Sequence, residues 1–139
     1  MTTGVDLGRP EAQVIRSDED VVRVRQLVRT VAVAVRLSLV DQTKLVTAAS
    51  ELARNTLVYG GGGTAEVMTA DNGRRRGVRI VFADSGPGIV DLDLALTDGY
   101  TTGGGLGLGL SGARRLVDDF DIDTAPGKGT RITVTKWSR

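Results

Sequence analysis

Four stretches of this chain hold residues whose types and spacing could do chemistry. The densest is Gly103–Arg115, GGGLGLGLSGARR, in which five of the first seven residues are glycine and the other two, Leu106 and Leu108, are leucine. A glycine-rich loop running into a helix start presents free backbone N–H groups and the positive end of a helix dipole, which suits a phosphate. The alternative is a surface linker, but linkers are polar, and here leucines alternate with the glycines. Gly107-x-Gly109-x-x-Gly112 matches the dinucleotide fingerprint in spacing alone, because that motif follows a buried strand and Leu96–Thr102 is not one. GKGT at Gly127–Thr130 lacks the glycine spacing and the following helix of a P-loop.

The other stretches are Glu51–Asn55, Asp84–Gly88 and Gly127–Thr130. Glu51 and Asn55 stand four residues apart, so on a helix both project from one face. A carboxylate can take a proton or hold a water, and an amide oxygen can ligate Mg²⁺. Asp84-Ser85-Gly86-Pro87-Gly88 follows an alternating apolar run, so its carboxylate emerges from a strand's end, where it can accept an exocyclic amine. Taken singly, each of these also reads as an ordinary helix surface, turn or hairpin.

The surrounding patterns supply the elements that must position these groups. Glu11–Arg16 reads as an edge strand. Ser17 with Asp20 resembles a capping box, and Val21, Val24, Val28, Val31 and Val35 then form one helical stripe. Arg23, Arg25, Arg29 and Arg36 lie off that stripe, as a solvated face or a basic docking surface. Asp41 can cap a second helix running to about Tyr59, with Leu45, Ala49, Leu52 and Thr56 buried and Gly60–Gly63 ending it. Ala65–Ala70 and Gly77–Ala83 read as strands joined by the turn signal Asp71-Asn72-Gly73. A short helix is expected over Asp91–Leu96 and another over Leu108–Val117. Asp119–Thr124 alternates with Phe120 and Ile122 inward, and Thr130–Thr135 is the last strand, with Ile132 and Val134 buried. Two hairpins with clustered helices predict an α/β fold: one domain, a two-layer sandwich with a mixed, mostly antiparallel sheet and helices on one face.

Composition narrows the function. The 139 residues suffice for a single domain with a core, and 40% hydrophobic with 25% charged is ordinary for a globular protein. A net charge of +1 gives no bulk attraction to nucleic acid or an anionic membrane. Zero cysteines exclude disulfides and thiolate metal sites, and zero histidines exclude imidazole chemistry. No apolar leader or spanning run is visible, so a cytoplasmic location is expected.

In this order the four stretches resemble the boxes of the GHKL ATPase/kinase superfamily, which uses the Bergerat ATP-binding fold. Glu51–Asn55 matches the N box, Asp84–Gly88 the first glycine box, Gly103–Gly109 the second, and Gly129-Thr130 the terminal box. The stretches ELARNTLVYGGGG, DSGPGI and DGYTTGGGLGLGLSGARRLVDDFDIDTAPGKGT make the chain most similar to the anti-sigma-factor-type serine/threonine kinases, in particular to RsbT-type stressosome switch kinases. The resemblance implies ATP and Mg²⁺ as ligands. Asn55 would ligate the metal, and Glu51 would be the general base or orient the acceptor hydroxyl. Asp84 would bind the adenine amine, with Thr130 helping through water, while Gly86 and Gly88 let base and sugar approach. The run Gly103, Gly104, Gly105, Leu106, Gly107, Leu108 and Gly109, with the following helix, would hold the phosphates, under a lid at Val90–Thr102. Many relatives carry a basic or imidazole residue four positions after the N-box asparagine; this chain has Tyr59 there, with Arg54 near in sequence as another cation. Implied partners are STAS-domain substrates of the RsbS/RsbR kind, a PP2C-type phosphatase that the kinase activates, or alternatively a sigma factor that the chain sequesters.

Overall fold

The structure is a computed structural model of the chain, and it describes residues 9–89, 96 and 110–139. The described elements are β1 (Glu11–Ile15), α1 (Asp18–Ala34), α2 (Leu39–Val58), β2 (Gly63–Asp71), β3 (Arg76–Asp84), α3 (Leu110–Leu116), β4 (Asp119–Thr124) and β5 (Thr130–Trp137). Strand order is β1-β2-β3-β5-β4. The sequence predicts a mixed, mostly antiparallel sheet; all four of these pairings are antiparallel.

Alternation along the strands sorts the side chains into cross-strand rows. Val67, Ile80, Val134 and Phe120 form one row, and Ala65, Phe82, Ile132 and Ile122 the next. These rows pack with α1, α2 and α3 into one apolar cluster, which gives the two-layer architecture. The expected stripe on α1 is the buried one: Val21, Val24, Val28, Val31 and Val35 are all in the core, while Arg23, Arg25, Arg29 and Arg36 are exposed.

Helix ends follow local chemistry. Ser17 caps α1 by accepting the N–H of Asp20 at 3.3 Å, and the Asp20 carboxylate reaches back to the N–H of Arg16 at 2.9 Å. At the other end, Arg36 adopts φ 63, with Leu37 N–H donating to the carbonyl of Ala32 and Arg36 N–H to that of Val33. That is a Schellman stop, made here by a residue other than glycine. Ser38, not Asp41, caps α2: its Oγ accepts the N–H of Asp41 at 3.1 Å. Asp41 sits three residues inside, where its carboxylate turns into the protein.

That carboxylate meets a buried ion cluster. Lys136 Nζ lies 3.7 Å from Asp41 Oδ1 and 3.4 Å from Asp118 Oδ1. Arg139 adds contacts of 3.5 Å to Asp41 Oδ2 and 3.3 Å to Asp118 Oδ1. The Lys136 side chain is only 4% exposed and that of Asp41 8%. The cluster therefore ties the first turn of α2 to β5 and to the α3–β4 turn. Asp41 to Asn55 spans about 21 Å of helix, and Lys136 to Thr130 spans about 20 Å of strand. Fixing Asp41 beside Lys136 thus brings Asn55 level with Thr130.

Breaking a buried pair leaves an uncompensated charge, at a cost of about 3–5 kcal/mol, whereas an exposed pair contributes about 0–1 kcal/mol. Asp41→Asn is expected to lower the unfolding free energy by about 3 kcal/mol in urea titrations. Glu19→Gln, which breaks the exposed contact to Arg23, is expected to cost under about 0.5 kcal/mol. Equal effects would show that the cluster does not hold α2.

Candidate functional site

Asp84 ends β3. The alternation that buries Val78, Ile80 and Phe82 places its side chain on the helix-facing side at the sheet's rim. Its row is Gly63, Asp84, Thr130, Thr124, so one carboxylate and two hydroxyls lie side by side across β3, β5 and β4. The end of α2 closes against this row. A Cβ on Gly60 would stand 2.4 Å from Asp84 Cγ, so only a glycine lets the helix terminus approach so near. Asn55 O accepts the N–H groups of Tyr59 and Gly60, and Thr56 O accepts that of Gly62, which satisfies two carbonyls of the helix's last turn.

Burial pushes the Asp84 carboxyl above its ordinary value, because desolvation disfavours the charged form; N–H groups of Gly86 and Thr130 act in the opposite direction. The Gly86 N–H donates to Oδ1 at 2.9 Å. A half-buried carboxylate with lone pairs left over is a strong acceptor, suited to an amine donor.

Asp84 lies in a cleft of about 330 Å³, open mouth included. Leu52, Phe82, Ile89, Leu110 and Ile132 form its apolar walls; Asn55, Thr56, Tyr59, Asp84 and Thr130 are its polar lining. The Thr56 hydroxyl donates to its own helix at Leu52 O, 2.9 Å away. What remains is an apolar slot with acceptors at one end, a chemistry that suits a flat heteroaromatic ring bearing an amine.

The structure thus brings Asn55, Asp84 and Thr130 together, with Gly86 and Gly88 beside Asp84. Glu51 lies one turn before Asn55 on α2, half-buried, and does not line the cleft. Arg54 points the other way: it is exposed and lies 3.9 Å from Asp18 of α1. Gly103–Gly109 and most of Val90–Thr102 fall outside the described residues, as does the helix expected over Asp91–Leu96 apart from Leu96, which packs on the core. The helix after the glycine run is described from Leu110, whose side chain is a cleft wall.

Two glycines are required by the backbone itself. Gly88 has φ 75, and a Cβ there would lie 2.0 Å from Ala125 O; Gly129 has φ 77, and its Cβ would lie 2.2 Å from Asp84 O. The sequence reading explains Gly88 by the approach of a ligand. The close approach of its own chain already demands it.

Sequence reasoning noted Tyr59 only as standing where relatives carry a cation, and it missed Thr124. Tyr59 Oη donates to Gly88 O at 2.6 Å, across the cleft's end. Thr124 Oγ1 accepts the Ile89 N–H at 2.9 Å and contacts Gly129 O and Thr130 Oγ1 at 3.0 and 2.9 Å. The signal for Thr124 was its place in the alternation: after Phe120 and Ile122 it is the third inward position of β4, yet polar.

An antiparallel sheet under a helix layer, with a rim carboxylate, a helix asparagine and a threonine around one cleft, defines a class. The chain belongs to the histidine kinase-, DNA gyrase B- and HSP90-like ATPase family, whose sequence pattern matches residues 40–138. Within it, the chain is 44% identical over 126 residues to the serine/threonine-protein kinase RsbT of Bacillus subtilis, covering 90% of this chain and 94% of that one. It is also 31% identical over 101 residues to the anti-sigma F factor of Bacillus licheniformis, covering 69% of each. A crystal structure of RsbU and RsbW domains from Mycobacterium tuberculosis superposes with TM-score 0.65 at 22% identity, over 94% of this chain and 33% of that one. At that identity the likeness is one of fold. Among the described residues no helix is long and apolar enough to cross a membrane.

The raised pKa of Asp84 has a sign that can be checked. Its folded value lies above the ordinary 3.8, so the native chain holds this proton more tightly than the unfolded chain. The stability it contributes is full below the ordinary value and is lost as pH rises through the folded pKa. Asp84→Asn carries no charge and escapes that loss. In urea unfolding, the stability difference is expected to shift in favour of the substituted chain as pH rises from about 3 to about 7. A shift toward the parent chain would mean that the two N–H groups outweigh desolvation.

Proposed function

We propose that this chain is an ATP-dependent serine/threonine protein kinase, acting in the cytoplasm on STAS-domain proteins of a sigma-factor partner-switching pathway and then activating a PP2C-type phosphatase. The observation that carries the reading is the convergence of Asp84, Thr130 and Asn55 on one apolar cleft. The 44% identity to a serine/threonine-protein kinase along nearly the whole of both chains supports the same choice.

On this reading the adenine ring occupies the apolar slot and its amine donates to Asp84. The phosphates lie toward Gly103–Gly109 at the start of the last helix. Asn55 holds Mg²⁺. The fit is chemically sound, because Mg²⁺ is commonly held by one or two protein oxygens, with phosphates and water completing its shell. Among the described residues no group of three or more acidic side chains could bind it alone. Bound there, the ion would neutralise phosphate charge.

Transfer itself needs little covalent help from the protein. The acceptor hydroxyl oxygen bonds to the γ-phosphorus, the bond to the β–γ bridging oxygen breaks, and ADP leaves. The hydroxyl proton leaves as the bond forms, and a carboxylate is a base open to a chain with no histidine. Glu51, one turn from Asn55, is the carboxylate assigned to this step.

A second reading, an anti-sigma factor with kinase activity toward an anti-anti-sigma factor, is favoured by the similarity to anti-sigma F factors. Stable capture of a purified sigma subunit, without phosphorylation of STAS domains, would select it.

A positioned base contributes about 10²–10⁴-fold. Glu51→Ala is expected to retain ATP affinity by calorimetry and to lose transfer of labelled phosphate to a STAS domain by about that factor. If affinity and rate fall together, Glu51 only supports the metal ligand; a wild-type rate at saturating ATP would remove it from catalysis. Asp84→Asn and Asn55→Ala are each expected to weaken ATP–Mg²⁺ binding, Asp84→Asn by about 1–3 kcal/mol. Unchanged affinity in both would sink the nucleotide assignment.

A further inference from the structure

Most of the large apolar side chains are buried, and the exposed ones are not evenly spread. Val14, Val22 and Val58 stand apart from one another, as single exposed valines commonly do. Val33, Leu39 and Val40 are 55%, 72% and 64% exposed, and all three belong to the corner where α1 turns into α2. Arg54 on α2 lies 3.9 Å from Asp18 on α1, which sets the alignment of the two helices. From Asp18 to Val33 and from Arg54 to Leu39 is the same fifteen residues, so Val33 and Leu39 stand opposite each other at the turn.

Cations surround this apolar centre. Arg29 precedes Val33 by one helical turn, Lys44 follows Val40 by one, and Arg36 sits in the connection itself. All three are exposed, and among the described residues none of them makes an ion pair. Other exposed arginines of the same helices do pair: Arg23 with Asp20, and Arg54 with Asp18. The whole chain carries only +1, so the positive excess at the corner is local. An apolar centre inside a charged rim is the anatomy of a protein interface, and its sign calls for an acidic partner. Leu39 to Asn55 spans about 24 Å of helix, which puts the corner at the opposite end of α2 from the cleft.

We propose that this corner docks a second protein through an acidic surface with an apolar centre, and that this protein is the one the chain activates, not the one it phosphorylates. A substrate must bring its hydroxyl to the phosphates near Asn55, whereas an activated partner needs only to be held. Docking at the corner leaves the cleft open to nucleotide. The choice of occupant rests on the proposed function; the position and charge of the surface do not.

The test uses the full chain, a purified PP2C-type phosphatase partner and a STAS-domain substrate. Leu39→Glu suits the fold, because an acidic side chain in the first turn of a helix is favoured. It is expected to weaken phosphatase binding about tenfold or more, as loss of a central contact does. Transfer of labelled phosphate to the STAS domain is expected to keep the parent rate. Arg29→Glu combined with Arg36→Glu is expected to act likewise and to flatten the salt dependence of binding, while Arg36→Lys keeps the charge and the affinity. Parent-like phosphatase binding in both acidic variants overturns the proposal, as does an equal loss of binding and phosphate transfer. A loss confined to self-association, or to binding of phosphatidylglycerol vesicles, also overturns it, making the corner a contact between copies or with lipid. A parent chain that phosphorylates the STAS domain but binds no phosphatase overturns the occupant alone, and one that does neither refutes the proposed function and this proposal with it.

Discussion

The position of α2 along the sheet is the constraint on which the site depends. Its first turn is held by the Asp41–Lys136–Asp118 cluster, and its last turn abuts Asp84 through Gly60. Between these ends, Leu45, Ala49 and Leu52 pack into the core and set the rotation of the helix. Translation and rotation together decide where Asn55 stands relative to Thr130. Apolar packing sets the rotation of the helix through its buried stripe. A buried ion pair has one geometry at which its desolvation is compensated, and that makes it suited to setting register.

The rim of the sheet shows a tension between stability and binding. Burying Asp84 raises its pKa, so the charged form that binds a donor is also the form that weakens the empty fold. The neighbouring backbone offsets part of this through the N–H groups of Gly86 and Thr130, but does not remove it. Two turns meet at this point. Gly127 N–H donates to Pro87 O at 2.7 Å, Tyr59 to Gly88 O, and Ile89 N–H to Thr124. The segment after Asp84 is thus held by three different elements before any ligand arrives. Such prior ordering reduces the conformational entropy that binding must overcome.

How much of this was legible in the sequence depended on whether the signal was periodic. The stripe on α1 and the inward rows of β3, β4 and β5 were readable because spacing alone determines them. Phase placed Asp84 at a strand's end and Asn55 on a helix face, but taken singly each also reads as an ordinary turn or helix surface, and only the family resemblance gave them roles. The cap of α2 was misassigned: Asp41 and Ser38 are both good capping types, and only the burial of Asp41 against Lys136, a partner 95 positions away, separates them. The Tyr59 bond to Gly88 O and the role of Thr124 were missed for the same reason. Each bonds to backbone atoms of a segment remote in sequence, and no local pattern encodes a carbonyl's position. Gly88 was recognised, but its cause lies in the close passage of Ala125 O.

The resemblance to the family leaves a question of charge, and the fold narrows it. Where relatives place a cation after the asparagine, Tyr59 commits its hydroxyl to Gly88 O, at the end of the cleft near Asp84. Arg54 is turned out to the surface beside Asp18. Tyr59 is thus uncharged and engaged, Arg54 faces away from the cleft, and the chain has no histidine. On the proposed reading, neutralisation would draw on the metal, on backbone N–H groups at the glycine run and on other cations such as Arg114, Arg115 and Lys128. Phosphoryl transfer needs little more than positive potential and correct placement. A site built this way owes its geometry to backbone packing, which is why so many of its determinants are glycines and short hydroxyl side chains rather than long charged ones.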